Sequence, residues 1–162
     1  KLHLSNEQTE LIRIIGYIHD IGKITIPSEI LSKPGKLSHA EFELLKNHSY
    51  SGYEMLSRVD LPPLIAEAIY QHHERFDGSG YPRALANSQI MVEAHILMVA
   101  DVVEAMMSHR PYRPSLGQDV ALLEIKEKSG RLYRPDVVNA CLDLFKNGYE
   151  IDDEAHEVMI PV

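Results

Sequence analysis

The amino-acid sequence predicts an all-α domain, and three features of its 162 residues support this fold class. Apolar side chains recur with a period near 3.6 through most of the chain, which is typical of amphipathic helices. Residues 5–8 (SNEQ) and 38–41 (SHAE) both match the capping box that opens a helix. No alternating apolar and polar run is long enough to predict a strand. We therefore expect a bundle of about six to seven helices.

The predicted segments follow one another without a linker, a repeat or a low-complexity stretch. Gly22 can stop the first helix, and prolines can open two later ones. We accordingly expect a single domain over 1–162. In chain order, the sequence predicts helices over 5–20, 38–56, 62–73, 90–107, 115–129 and 135–147, with a short turn at 28–31 and a loop over 77–89.

Composition excludes several classes of function. The formal net charge of -8 argues against a general DNA-binding protein, which would show a basic face. The single cysteine, Cys141, excludes a disulfide framework and a cysteine-rich zinc site. Nothing resembles a signal peptide, and no apolar run approaches the roughly 20 residues of a membrane helix. We therefore expect no membrane segment in this chain and a cytoplasmic location.

Charged and imidazole side chains interrupt two apolar stretches. His19 and Asp20 lie within one apolar run, and Asp101 is the single charge in 96–103. An ionised carboxylate buried without a partner costs several kcal/mol or more, so each needs a cation or a set of hydrogen-bond donors. For one aspartate, an arginine or the backbone would be a sufficient partner. For these residues together with the tandem His72 and His73, a divalent metal is the better interpretation.

The candidate ligands exceed the donor set of one tetrahedral zinc. A carboxylate could bridge two metals about 3.5–4 Å apart, an arrangement that hydrolyses phosphate esters. Asp20 suits the bridging role, and Lys23 could neutralise charge that develops on the phosphorus centre. The candidate ligands, which come from four predicted helices, are His19, Asp20, His48, His72, His73 and Asp101.

Three motifs carry a family resemblance: residues 19–23 (HDIGK), 72–82 (HHERFDGSGYP) and 99–101 (VAD). Together they resemble the signature of the HD-GYP family of the HD phosphohydrolase superfamily, over about 4–144. The resemblance implies an HD-domain helical bundle in bacterial signal transduction. It also implies a metal-dependent phosphodiesterase that hydrolyses a cyclic dinucleotide to a linear one. Cyclic di-GMP is the first expectation and 3',3'-cyclic GMP-AMP the second.

The resemblance also implies roles for individual residues. Iron or manganese would be bound, as two ions or as three if ligands from an earlier helix take part. The implied metal sites are His19, Asp20 and Asp101 for one ion, and Asp20, His48, His72 and His73 for the other. Lys23 and Asp20 would act in catalysis, and the implied substrate contacts are Lys23, Tyr81, Arg110 and Arg113. The loop beside His72 and His73 contains Asp77, Gly78, Gly80, Tyr81 and Pro82. Its position leaves two interpretations open: it simply makes a turn, or it shapes substrate access or a partner surface.

The sequence departs from the family pattern in several positions. Family members usually carry a further Glu and His on an earlier helix, whereas this chain starts at Lys1. We therefore expect an excised domain that lacks its first helix or helices. Residues 84–87 and 90–91 differ from the usual loop, Glu104 replaces a usual Asp, and Arg134 also replaces a usual Asp. These changes bear on substrate preference more than on the metal site.

Two other functions fit the same residues. The first is a catalytically inactive, metal-bound signalling module that binds nucleotide or a diguanylate cyclase (GGDEF) domain. The second is a mononucleotide phosphohydrolase of the wider HD superfamily, which has less reason to carry the motif at 72–82. A second copy of the chain, in a homodimer, is a further expected partner.

The remaining polar residues near the motifs have ordinary interpretations. We expect Glu74 to pair with Arg75 or to orient a ligating histidine. We expect the histidines without a matching partner pattern on the surface or behind the ligands: His3, His39, His95, His109 and His156.

Overall fold

The computed structural model describes residues 2–109 and 113–151. Within these residues the chain forms seven α-helices and no strand, which confirms the predicted all-α fold. None of these helices is long and apolar enough to cross a bilayer. The helices are α1 (Asn6–Ile18), α2 (Ser28–Leu31), α3 (His39–Leu56), α4 (Pro63–Gln71), α5 (Val92–Met107), α6 (Gln118–Glu127) and α7 (Pro135–Lys146).

The two predicted capping boxes open α1 and α3. The Ser5 hydroxyl accepts a hydrogen bond from the Gln8 backbone N–H at 3.1 Å, and the Gln8 side chain accepts one from the Ser5 N–H at 3.0 Å. Ser38 and Glu41 make the same reciprocal pair at 3.3 and 2.7 Å. These bonds satisfy backbone donors that have no partner within the helix.

Gly22 has a different role from the predicted helix stop. Helix α1 already ends at Ile18 with His19 as its C-cap, and Gly22 lies in the 3₁₀ turn Ile21–Thr25 that follows. A Cβ atom on Gly22 would overlap the carbonyl oxygen of His48 on α3. Glycine is therefore required because this turn packs directly against the α3 backbone, and this packing brings the end of α1 beside His48.

The start of α6 also differs from the prediction. The N-cap is Gly117, with a φ of 82°, rather than Ser115. The Ser115 hydroxyl accepts a hydrogen bond from the Gly117 N–H at 3.1 Å and donates one to the carbonyl of Met107. Ser115 therefore ties this connection to the end of α5.

Helix α5 is the centre of the fold because both core clusters use it. One cluster joins α1, α3 and α4 to Leu97 on α5, and the other joins residues 98–103 of α5 to α6 and α7. Each large apolar side chain buried in this way contributes roughly 1.5–3 kcal/mol. The first cluster consists of Ile15, Leu56, Ile65, Ala66, Ala68, Ile69 and Leu97. The second consists of Met98, Val99, Val103, Ala121, Ile125, Tyr133, Val137 and Val138.

Candidate metal centre

The fold brings all six predicted ligands to one place. They lie at the ends of α1 and α4 and in the interiors of α3 and α5, and the first core cluster packs these helices together. The ligands are His19 and Asp20 after α1, His48 on α3, His72 and His73 after α4, and Asp101 on α5.

His48, His72 and His73 form what we call the histidine group. The Nε2 atom of His48 lies 3.3 Å from Nε2 of His72 and 3.1 Å from Nε2 of His73. One ring nitrogen from each of the three lies within 4.8 Å of the other two. His48 and His72 are fully buried, so their nitrogen atoms have little access to water.

His19, Asp20 and Asp101 form the carboxylate group. Nε2 of His19 lies 3.5 Å from Oδ2 of Asp20 and 3.8 Å from Oδ1 of Asp101. The other Asp20 oxygen, Oδ1, lies 3.6 Å from Nε2 of His48, and the Lys23 ammonium pairs with Oδ2. Asp20 therefore turns one oxygen toward each group, which is the arrangement that a bridging carboxylate requires.

Backbone carbonyls hold three of the imidazoles in one tautomer. In each case Nδ1 lies within hydrogen-bond distance of the carbonyl three residues earlier, and a carbonyl oxygen can only accept. Nδ1 therefore carries the proton, and the Nε2 lone pair of the neutral ring is directed into the centre. The pairs are His19 with Gly16 at 2.7 Å, His48 with Leu45 at 2.6 Å and His72 with Ile69 at 2.5 Å.

This donor set fits a metal ion. The Nε2 atoms of His48 and His72 are 3.3 Å apart, and with both Nδ1 atoms protonated neither Nε2 can donate to the other. Two facing lone pairs repel unless a cation lies between them. Imidazole nitrogen is a common ligand of divalent transition metals, so His48, His72 and His73 could hold one ion.

Burial keeps the histidine group neutral. It lowers the pKa of His48, lowers that of His72 to about 4, and holds that of His73 well below its usual value. A metal ligand must be deprotonated, so these rings are in the binding form at neutral pH.

In the carboxylate group, neighbouring charges shift the pKa values in favour of the charged forms. Burial opposes ionisation of Asp20, yet the Lys23 ammonium and His19 outweigh it and lower the pKa of Asp20. Burial alone would lower the pKa of His19, but the nearby Asp101 and Asp20 carboxylates outweigh it and raise that pKa. Burial likewise opposes ionisation of Asp101, and His19 outweighs it, so the pKa of Asp101 is lowered.

Tyr81 connects the loop to the histidine group. Its ring stacks on His73 with the ring centres 4.8 Å apart, and its backbone N–H donates to the His73 carbonyl at 3.1 Å. Burial raises the pKa of the Tyr81 hydroxyl, so this group stays protonated at neutral pH. The other predicted loop residues form the turn before it: Asp77 accepts from the Ser79 N–H at 3.0 Å, and Gly78 has a φ of 81°.

The predicted role of Glu74 was wrong. Its fully buried carboxylate accepts hydrogen bonds from the backbone N–H groups of Arg83 at 2.8 Å and Leu85 at 2.9 Å. Arg75 instead lies 5.5 Å from the centre of the Tyr133 ring. Glu74 therefore fastens the loop segment that follows Tyr81–Pro82, a role without a sequence signal because its partners are main-chain groups.

The two predicted arginine contacts differ in what can be said of them. Arg113 donates to the carbonyl oxygens of Ala105 at 2.6 Å and Pro114 at 3.3 Å, so its guanidinium is bound to the main chain. Its contact with a phosphate stays a prediction. Arg110 and His156 lie outside the described residues.

The remaining histidines divide into two classes. His3, His39 and His109 are exposed, as expected. His95 is buried in α5, where it contacts the Phe76 ring and its Nε2 lies 3.4 Å from the Asn87 carbonyl. Of the two locations expected for His95, the surface was therefore wrong, and its position inside an apolar helix was the signal for burial.

The fold and the converging donors define a helical protein with a metal-ligand centre. A family profile described as "HD domain" matches residues 1–137, and the chain belongs to this HD domain family. The chain is 47% identical over 137 residues to a cyclic di-GMP phosphodiesterase of Thermotoga maritima. It is 38% identical over 134 residues to the 3'3'-cGAMP-specific phosphodiesterase 1 of Vibrio cholerae. These similarities confirm the resemblance drawn from the motifs.

The matched regions are only part of those relatives. The first match covers 83% of this chain and 37% of the Thermotoga protein, and the second covers 82% of this chain and 31% of the Vibrio protein. Among solved structures, the HDG"Y"P protein Bd1817 of Bdellovibrio bacteriovorus superposes with a TM-score of 0.71 at 17% identity. That match covers 88% of this chain and 45% of the other, and it supports the fold alone.

Proposed function

We propose that this chain is the catalytic domain of a phosphodiesterase that opens a bacterial cyclic dinucleotide to its linear form. The observation that carries the proposal is Asp20, whose two oxygens face His48 on one side and His19 on the other. Two divalent ions that share a carboxylate are a recurring arrangement for phosphate ester hydrolysis. The names of the relatives favour cyclic di-GMP or 3',3'-cyclic GMP-AMP as the substrate.

The proposed ligand sets follow the two groups. The carboxylate group would hold one ion, and the histidine group with Asp20 would hold the other. Mixed imidazole and carboxylate ligands suit iron or manganese. When bound, such ions supply an activated water and neutralise charge on the phosphoryl oxygens.

Two further side chains are proposed to act on the phosphate. Lys23 is about one-third exposed beside Asp20, so its ammonium can donate to a phosphate oxygen as negative charge develops. The protonated Tyr81 hydroxyl, held by the stack on His73, can donate a second hydrogen bond. Arg110 and Arg113 remain proposed phosphate contacts, because an arginine fork suits phosphate oxygens.

A second candidate is an inactive module that binds nucleotide or a diguanylate cyclase (GGDEF) domain. It is favoured by Arg113, whose guanidinium is bound to main-chain carbonyls. The GGDEF partner, a homodimer and a cytoplasmic location remain predictions that need their own tests.

The experiment is an assay of the manganese- or iron-loaded protein on a substrate panel. The panel contains cyclic di-GMP, 3',3'-cyclic GMP-AMP, cyclic di-AMP, and nucleoside mono- and triphosphates. We expect linear dinucleotides from the first two, and no product from Asp20→Asn. Binding without turnover in protein that has taken up both ions would support the inactive module. Turnover of mononucleotides alone would instead support a phosphohydrolase of the wider superfamily.

A further inference from the structure

Three side chains on α3 form a surface patch outside the metal centre: Phe42, Glu43 and Lys46, which we call the α3 patch. The Lys46 ammonium lies 2.7 Å from Oε1 of Glu43 and 5.0 Å from the centre of the Phe42 ring. Phe42 is 44% exposed, and half of the Glu43 side chain is exposed. The patch therefore presents an aromatic face, an acceptor and a donor to an incoming ligand.

The α3 patch is joined to the metal centre through Tyr81. The Lys46 ammonium lies 5.3 Å from the centre of the Tyr81 ring, and that ring stacks on His73 with the centres 4.8 Å apart. The α3 patch therefore borders the histidine group, with the Tyr81 ring between them.

The chemistry of the α3 patch matches guanine better than adenine. Guanine offers N1–H and N2–H donors to a carboxylate, and O6 and N7 acceptors to a lysine. Adenine has no hydrogen on N1, so a carboxylate in the position of Glu43 would face a lone pair. Lys46 lowers the pKa of Glu43, which keeps this acceptor ionised at neutral pH. The face of Phe42 can stack with any base.

We propose that Phe42, Glu43 and Lys46 form a subsite that reads guanine in the substrate. Glu43 accepts from N1–H and N2–H, Lys46 donates to O6 or N7, and Phe42 stacks on the ring. This subsite rests on the proposed function, since it selects among cyclic dinucleotides.

The test is a calorimetric titration of the manganese-loaded protein with phosphorothioate analogues of cyclic di-GMP and cyclic di-AMP, which resist hydrolysis. We expect the wild type to prefer the guanine analogue. Glu43→Gln and Lys46→Met should each reduce that preference about tenfold, since a specific base contact is typically of this size. Phe42→Leu should weaken the binding of both analogues to a similar extent, because stacking does not distinguish the bases. Glu54→Gln on the same helix and Lys126→Met on α6 serve as charge-matched controls that keep the preference.

Each outcome decides between the proposals. Lack of preference in the wild type, or an unchanged preference in Glu43→Gln and Lys46→Met, would overturn the guanine subsite. Hydrolysis of cyclic di-GMP and 3',3'-cyclic GMP-AMP by the same manganese-loaded protein tests the proposed function separately. If the wild type hydrolyses neither while the base preference of binding behaves as expected, the phosphodiesterase proposal fails and the subsite stands as part of a nucleotide-binding module.

Discussion

The histidine group and the carboxylate group, the two halves of the candidate metal centre, differ in burial and in charge. The rings of His48 and His72 are buried, neutral and oriented by backbone carbonyls. The carboxylate group is partly exposed, with 18–29% of its side chains accessible, and Lys23 already neutralises Asp20. A metal at the histidine group meets rings whose pKa values burial lowers, whereas a metal beside His19 meets a ring whose pKa the neighbouring carboxylates raise. We therefore expect the histidine group to bind its ion more tightly.

The largest effect should come from His72→Ala. This change removes one of three converging imidazoles, so the histidine group should lose its ion and hydrolysis should fall by at least about 100-fold. Elemental analysis after dialysis measures the metal, and the assay on cyclic di-GMP measures activity. His3→Ala, which removes an exposed imidazole, is the control. Retention of both ions in His72→Ala would refute the ligand assignment.

Asp101→Asn tests the carboxylate group. We expect the carboxylate group to lose its ion while the histidine group keeps its own, because the Asp101 carboxylate lies 3.8 Å from Nε2 of His19. Metal content should fall from two ions to about one per chain, and activity should fall about 10- to 100-fold. A simultaneous loss of both ions would show that the halves are not separable.

Gly22→Ala tests whether close packing of the turn against α3 sets the distance between Asp20 and His48. The new Cβ would push the turn Ile21–Thr25 away from the His48 carbonyl and thus move Asp20 from His48. Such overpacking typically costs about 1–3 kcal/mol of unfolding free energy. Gly16→Ala in α1 is the matched control: its Cβ would meet nothing, and alanine should stabilise the helix by up to about 1 kcal/mol. Chemical denaturation measures the free energy of unfolding of both variants. Equal values for Gly22→Ala and Gly16→Ala would contradict the packing argument.

The smallest effect is a difference in titration between the halves of the metal-free protein. The raised pKa of His19 means that its protonation stabilises the fold below its usual value of 6.5, and this contribution is lost as the pH rises through the folded pKa. His72 behaves oppositely: its contribution is present above 6.5 and is lost as the pH falls toward about 4. NMR of the imidazole protons as a function of pH measures the pKa values of His19 and His72. A pKa of His72 above that of His19 would contradict the comparison.

Much of this architecture could be predicted from the sequence because the signals were local. The capping boxes at Ser5 and Ser38 and the helix start at Pro63 depend on neighbouring residues alone. The His19-Asp20 pair within an apolar run and the tandem His72-His73 likewise marked candidate ligands. Gly22 was interpreted as a helix stop because the sequence does not reveal that α3 packs against it.

The features that could not be predicted depend on contacts between distant segments. Glu74 bonds to main-chain donors at Arg83 and Leu85, which any residue could supply, so the sequence contains no sign of them. The α3 patch was missed for a related reason: Lys46 resembles an ordinary surface lysine until Tyr81 is brought beside it.

The central claim is that Asp20 bridges two ions, and anomalous diffraction from crystals of the manganese-loaded protein tests it most directly. We predict two manganese peaks about 3.5–4 Å apart on either side of the Asp20 carboxylate, one at the histidine group and one beside His19 and Asp101. A single peak within the histidine group, with Lys23 still paired to Asp20, would contradict the two-metal account.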